Sequence, residues 1–260
     1  MIPLQDSIQS QTTPVVNYAV IALTAIVFLM QLREPENDQK LVENYAMIPA
    51  RVRNPEAKVE VPVSAERDPR TGQVKVIREE LGPPVIPPIF TMLTCVFLHG
   101  GWMHFLGNMW FLVIFGDNVE DRLGHFGYLI FYLASGVAAS AVHFLSDPSS
   151  MTPTVGASGA IAGVMGAYFY WFRHAHVRAL LPLGAFTQMV VVPAPIFLGI
   201  WFVMQLIPGI GSVTGGASEG VAWWAHIGGF VVGVVVAVVV GRQEVPPYEP
   251  RRRPAPAWRY

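Results

Sequence analysis

Two polar side chains set inside apolar stretches hold most of the chemistry of this chain. They are Ser158 in Gly156-Ala157-Ser158-Gly159 and His226 in Ala225-His226-Ile227-Gly228-Gly229. A serine and a histidine are the least equipment needed for nucleophilic catalysis, the histidine taking the proton as the hydroxyl attacks. Polar groups at membrane depth are costly, and that cost favours a functional reading. His104 and Asn108 stand at i and i+4 of a further apolar stretch, on one helix face, where both can donate hydrogen bonds to the oxyanion of a tetrahedral intermediate. Each residue taken alone has a plainer reading. Ser158 lies among Gly156, Gly159, Ala160 and Gly163, a spacing that lets helices pack closely, and His226 alone reads as a histidine bonded to a neighbouring helix. Four such groups at one depth favour catalysis.

The elements that must position these residues are membrane helices. Charged residues make up 13% of the chain against 52% hydrophobic ones, and the mean hydropathy is +0.42. Apolar stretches run at about Val15–Leu32, Gly101–Phe115, Phe126–Leu145, Ala157–Phe172, Met189–Ile207 and Val221–Gly241, each near the roughly 17–25 residues that span hydrocarbon. The expected fold is therefore an all-α membrane protein of six transmembrane helices. Arg122, Arg173, Arg178, Arg242 and Arg251 to Arg253 lie on one side of this arrangement, whereas the connections Ser146–Val155 and Pro208–Gly220 contain no arginine or lysine. The positive-inside rule then puts both termini in the cytoplasm of a cell-membrane protein. The first stretch has no basic leader and is longer than a signal-peptide core, so it reads as a retained helix.

The expected organisation is a membrane domain over residues 1–241, interrupted by an extracytoplasmic insertion over about 33–88, and a disordered cytoplasmic tail over 242–260. In the insertion, Val59, Val61 and Val63 alternate with other residues, Asp68-Pro69-Arg70-Thr71-Gly72 supplies a turn, and Val74 and Val76 resume the alternation. That pattern predicts a small surface hairpin. The tail is rich in proline and arginine and ends Trp258-Arg259-Tyr260, a composition suited to anionic headgroups.

His226 falls about five residues into the last stretch, some 8 Å from its outer end. If the fourth helix begins near Ala157, Ser158 sits in its first turn, where free backbone amides and the positive end of the helix dipole favour an oxyanion. Gly229 and Gly233 give the last helix a close-packing face toward the fourth. The single cysteine, Cys95, excludes an internal disulfide and has no evident histidine partner, and no histidine spacing suits a metal. No cofactor, no metal and no nucleic-acid partner are expected.

Taken together, His104-x-x-x-Asn108, Gly156-Ala157-Ser158-Gly159 and Ala225-His226-x-x-Gly229 resemble the three signature segments of the rhomboid intramembrane serine proteases, in the same order and on corresponding helices. Glu120-Asp121-Arg122-Leu123-Gly124 and, more weakly, Tyr45-Ala46-Met47-Ile48-Pro49 extend the resemblance over nearly the whole chain. It implies Ser158 as nucleophile, His226 as general base and then acid, and His104, Asn108 and the Ser158 amide as the oxyanion hole, with no acidic third member. It also implies hydrogen bonding for His99, scaffold roles for Glu120 and Arg122, a lid at Gly209–Gly220, and a lateral entrance beside Trp201 and Phe202. The substrates it implies are transmembrane proteins, met within the lipid bilayer. Ala162 departs from relatives that carry an aromatic ring there against the catalytic histidine, so another contact must orient His226, a neighbouring tryptophan being one candidate. The alternatives are a rhomboid-like binder of transmembrane helices that does not cleave, against which the intact Ser158 and His226 count, and a small transporter, for which no inverted repeat or intramembrane acid speaks.

Overall fold

A computed structural model describes residues 1–35, 40–67, 70, 74–183, 186–213 and 221–241. Strand β1 (Ile2–Asp6) is followed by helix α1 (Val15–Gln31), the short helices α2 (Lys40–Tyr45) and α3 (Pro49–Arg53), and the strands β2 (Glu60–Arg67) and β3 (Val74–Glu80). Then come α4 (Thr91–Thr94), α5 (Trp102–Ser146), α6 (Ser158–Trp171), the strands β4 (His176–Leu183) and β5 (Phe186–Pro193), α7 (Ala194–Val213) and α8 (Trp223–Val240). Helices thus occupy all six apolar stretches. Three of them, α5, the Ala194–Gly211 part of α7, and α8, are long and apolar enough to cross a membrane by length and composition.

The two apolar stretches from 101 to 145 are joined in α5 around Gly124, whose φ of 69° and ψ of 163° turn the chain between two helical halves. A side chain is disfavoured at that positive φ, which explains the glycine that ends Glu120-Asp121-Arg122-Leu123-Gly124. Glu120 is fully buried and accepts the Val16 and Asn17 amides at 3.0 and 2.7 Å. It thereby satisfies free N–H groups at the start of α1, a helix with no capping side chain of its own. Arg122 donates to the Gly241 carbonyl at 2.9 Å and lies over the Trp171 ring at 5.3 Å. One arginine therefore ties the ends of α6 and α8 to the turn in α5, as the scaffold reading of Glu120 and Arg122 expects.

The core is centred on α6, where every residue from Gly159 to Tyr168 is buried. A Cβ added at Gly229 would strike the Gly159 carbonyl oxygen, one at Gly233 the Gly163 oxygen, and one at Gly166 the Phe230 oxygen. The backbones of α6 and α8 are in contact along this seam, as the small-residue spacing requires.

Two features depart from an all-helical reading. The expected hairpin is present, with β2 and β3 antiparallel, Ala65 opposite Val76, although most of its turn lies outside the described residues. A second hairpin, β4–β5, was not expected. Together with β1 it forms a three-stranded antiparallel sheet in the order β1-β4-β5, Leu180 pairing with both Ile2 and Met189. Residues 189–193, expected as the start of the fifth helix, are strand, and α7 begins at Ala194. Val190-Val191-Val192 is as apolar and as β-branched as the helical Val234-Val235-Val236 of α8, and it is strand where it pairs with Val177 to Ala179 of β4. The tail from 242 onward, and residues 214–220 of the expected lid, lie outside the described residues.

Candidate active site

Ser158 is the first residue of α6, and three segments converge to place it there. The Gly156 amide donates to the Cys95 carbonyl at 2.9 Å. Thr154 and Met47 exchange backbone hydrogen bonds of 2.8 and 3.1 Å, while Thr94 Oγ1 donates to the Tyr45 carbonyl at 2.8 Å. The Tyr45-Ala46-Met47-Ile48-Pro49 segment therefore braces the connection that delivers the serine. Gly156 has a φ of 126°, in the range that favours glycine. A Cβ there would also lie 2.7 Å from His104 Nε2 and 3.7 Å from Ser158 Oγ, so the glycine keeps open the space those two side chains share.

His226 is carried by the first turn of α8, and its Nε2 lies 2.7 Å from Ser158 Oγ. Its Nδ1 lies 2.8 Å from Gln205 Oε1, on α7. The rings of Trp201 and Trp223 flank the imidazole, with centroids at 5.9 Å and 42° and at 6.3 Å and 89°. These contacts occupy the role left vacant by the small Ala162, which is buried in α6.

His104 and Asn108 line the same cavity as Ser158 and His226. His104 Nδ1 accepts the Gly100 amide at 3.4 Å, which leaves the ring proton on Nε2, the atom beside Gly156. Asn108 Nδ2 donates one proton to the His104 carbonyl at 3.0 Å and keeps a second for the cavity. The cavity encloses about 1020 Å³ and is walled at its mouth by residues from the connections before α6 and α8, among them Thr154 and Ala222. Its lining includes Gly100, Asp147, Thr154 and Ala222, at the ends of α5, α6 and α8 away from Arg122 and Gly241. Space of this size admits an extended peptide segment as well as water. A hydroxyl hydrogen-bonded to an imidazole, with two further donors on the same cavity wall, can carry out acyl transfer.

The structure thus gathers all four residues singled out from the sequence. His99 stands apart. Its backbone N–H and carbonyl pair with the Gln31 amide at 3.0 and 3.2 Å, but neither ring nitrogen has a hydrogen-bond partner among the described residues, unlike the expectation for its side chain, and the ring packs edge-on against Phe105 and His104 at 5.5 and 5.1 Å. Burial pushes its imidazole down to about 4, so it is neutral near pH 7. Gln205 is the residue sequence reasoning missed. Its signal was a lone amide in an otherwise apolar run, Ala194 to Gly211, that carries no charge.

Comparison with known proteins identifies the family. The model of the Rhomboid domain matches residues 88–243, more than half of the chain. Rhomboid-like protein 11, chloroplastic, of Arabidopsis thaliana is 33% identical over 162 residues, covering 60% of this chain and 54% of that protein. Rhomboid protease GluP of Bacillus subtilis (strain 168) is 31% identical over 150 residues, 58% of this chain and 26% of that protein. The putative rhomboid protease YdcA of the same organism is 30% identical over 105 residues, 38% of this chain and 52% of that protein. The chain spans about half the length of these relatives or less. With the match of the domain model over residues 88–243, this membrane protein belongs to the rhomboid family.

Proposed function

We propose that the chain is an intramembrane serine endopeptidase, hydrolysing peptide bonds in or near transmembrane segments of other membrane proteins. The observation that carries this reading is the 2.7 Å hydrogen bond between Ser158 Oγ and His226 Nε2 inside a cavity of about 1020 Å³. His226 takes the Ser158 proton as the oxygen attacks the substrate carbonyl, and the tetrahedral oxyanion is met by His104, Asn108 and the Ser158 amide. The protonated imidazole then gives its proton to the leaving amine, which departs and leaves an acyl-serine. Water entering from the cavity mouth loses a proton to His226 as it attacks the ester, and the same proton returns to Ser158 as the acid product leaves. A peptide bond within an intact helix has its carbonyl hydrogen-bonded and shielded, so the segment cut must unwind locally, which glycine or proline near the bond favours.

In this reading the fold is a six-span bundle with both termini on the cytoplasmic side of a cell membrane. The scaffold runs to residue 241, with the 33–88 insertion on the outer face and the 242–260 tail inside. The meeting of Arg122, the end of α6 and the end of α8, next to Arg173 and Arg178, supports the cytoplasmic assignment of that end. The test is cleavage of a model transmembrane substrate by the detergent-solubilised protein. Cleavage that disappears in Ser158→Ala supports the reading, and cleavage that persists in that variant contradicts it.

A further inference from the structure

A serine–histidine pair works as nucleophile and base only when the imidazole nitrogen facing the hydroxyl is unprotonated, because that nitrogen must accept the proton. His226 Nε2 faces Ser158, so the ring proton has to sit on Nδ1. That N–H is enclosed and requires an acceptor.

The acceptor is fixed by a second hydrogen bond. Gln205 is buried, 8% exposed, and its Nε2 lies 3.2 Å from the Trp201 carbonyl oxygen one turn earlier in α7. A carbonyl only accepts, so the amide nitrogen of Gln205 belongs at Trp201 and its oxygen belongs 2.8 Å from His226 Nδ1. The reversed amide would set two carbonyl oxygens together at Trp201. It would also present an NH2 to Nδ1 and drive the ring proton to Nε2, where it blocks transfer from Ser158. One amide orientation therefore selects the competent tautomer.

We propose that Gln205 is the positioning residue of the dyad. It holds His226 in the tautomer and orientation that Ser158 needs, and it makes the site competent only while α7 is docked. The inference rests on the protease reading above. The partner that orients the base comes from α7, a helix whose outward face leaves Ile200, Val203, Met204 and Ile207 exposed, whereas Ser158 and His226 come from the tightly packed α6 and α8. Displacing α7 leaves the dyad distance intact and removes the acceptor that sets the ring.

The experiment is the pH-dependent rate at which a fluorophosphonate probe labels the detergent-solubilised full chain, alongside kcat and KM on a transmembrane substrate. The proteins compared are the wild type, Ser158→Ala, Gln205→Leu and Gln205→Glu, each checked for an unchanged thermal transition. Gln205→Leu should lower the labelling rate and kcat by about ten- to hundredfold, the effect of an orphaned buried donor in the competent tautomer, with KM unmoved. Gln205→Glu restores an acceptor, so most of the rate should return, and the acid limb of the profile should move to higher pH because a carboxylate favours the protonated ring. Wild-type labelling rates in folded Gln205→Leu overturn the proposal, as does a Gln205→Glu variant no faster than Gln205→Leu. Wild-type labelling no greater than that of Ser158→Ala is a different failure: it sinks the protease reading and the inference that depends on it.

Discussion

The α6–α8 seam and helix α7 border the same cavity but are built on opposite principles. Along the seam, a Cβ added at Gly229 or Gly233 would strike the α6 backbone and one at Gly166 the α8 backbone, so the two backbones leave no room for a methyl. The seam holds Ser158 and His226 within a 2.7 Å hydrogen bond. On α7, a Cβ added at Gly199 would meet only Phe169, at 4.0 Å, and Pro208 removes the amide that would otherwise bond the Met204 carbonyl. The difference separates rigidity from access. Ser158 and His226 sit where two backbones are in contact, whereas Gln205 is carried by a helix with room beside Gly199 and a missing hydrogen bond at Pro208.

The contrast is most readily broken on the seam. Gly233→Val drives a branched side chain into the Gly163 backbone and should destabilise by about 3 kcal/mol or more, seen as loss of the folded species in a detergent thermal melt. A variant with wild-type stability would mean that the seam is looser than described. Asn108→Ala leaves the seam intact and removes one cavity donor, so kcat should fall by about 10²-fold with little change in KM. The two properties are then separable, and a parallel loss of stability in Asn108→Ala would show that they are not.

Gly199→Ala is the matching change on α7. There is room for the methyl, and the gain in helix propensity should stabilise by up to about 1 kcal/mol, or leave the melting temperature unchanged. A large destabilisation would place α7 in the same packing class as the seam. The smallest effect is expected where β1 docks. Asp6 accepts hydrogen bonds from Tyr168 and Asn118, and burial raises its carboxyl to about 6. A folded value above the unfolded one means that its contribution is fully present below about pH 4 and is lost as pH rises through about 6. Asp6→Asn keeps both acceptor contacts without the charge. It should be more stable than wild type at pH 8 and equal to it at pH 4, and a difference independent of pH would contradict this assignment.

What could be read beforehand follows from these physical differences. Ser158, His226, His104 and Asn108 stand out because each is a polar residue at a helix position where lipid or packing would favour an apolar one, and the glycines of the seam announce themselves by their spacing. The β2–β3 hairpin was legible from period-two valines around a turn. The β4–β5 hairpin was not, because Val190-Val191-Val192 has the same composition as the helical Val234-Val235-Val236 of α8, and only the pairing with β4 separates them. β1 was hidden for a related reason, since its partner strand was unrecognised. Gln205 has no spacing that marks it. Its meaning comes from the crossing of α7 over α8, a tertiary fact that a separation of twenty-one positions conceals. The place of Ala162 did signal that some other group must hold His226, and the structure supplies Gln205 together with two tryptophans.

The central claim is that Ser158 and His226 act as a catalytic pair. Cleavage of a model transmembrane substrate by purified wild type, Ser158→Ala and His226→Ala, all three shown to remain folded, tests it most directly. The account predicts specific cleavage by wild type and none above background in either variant, whereas cleavage by folded Ser158→Ala at the wild-type rate would contradict it.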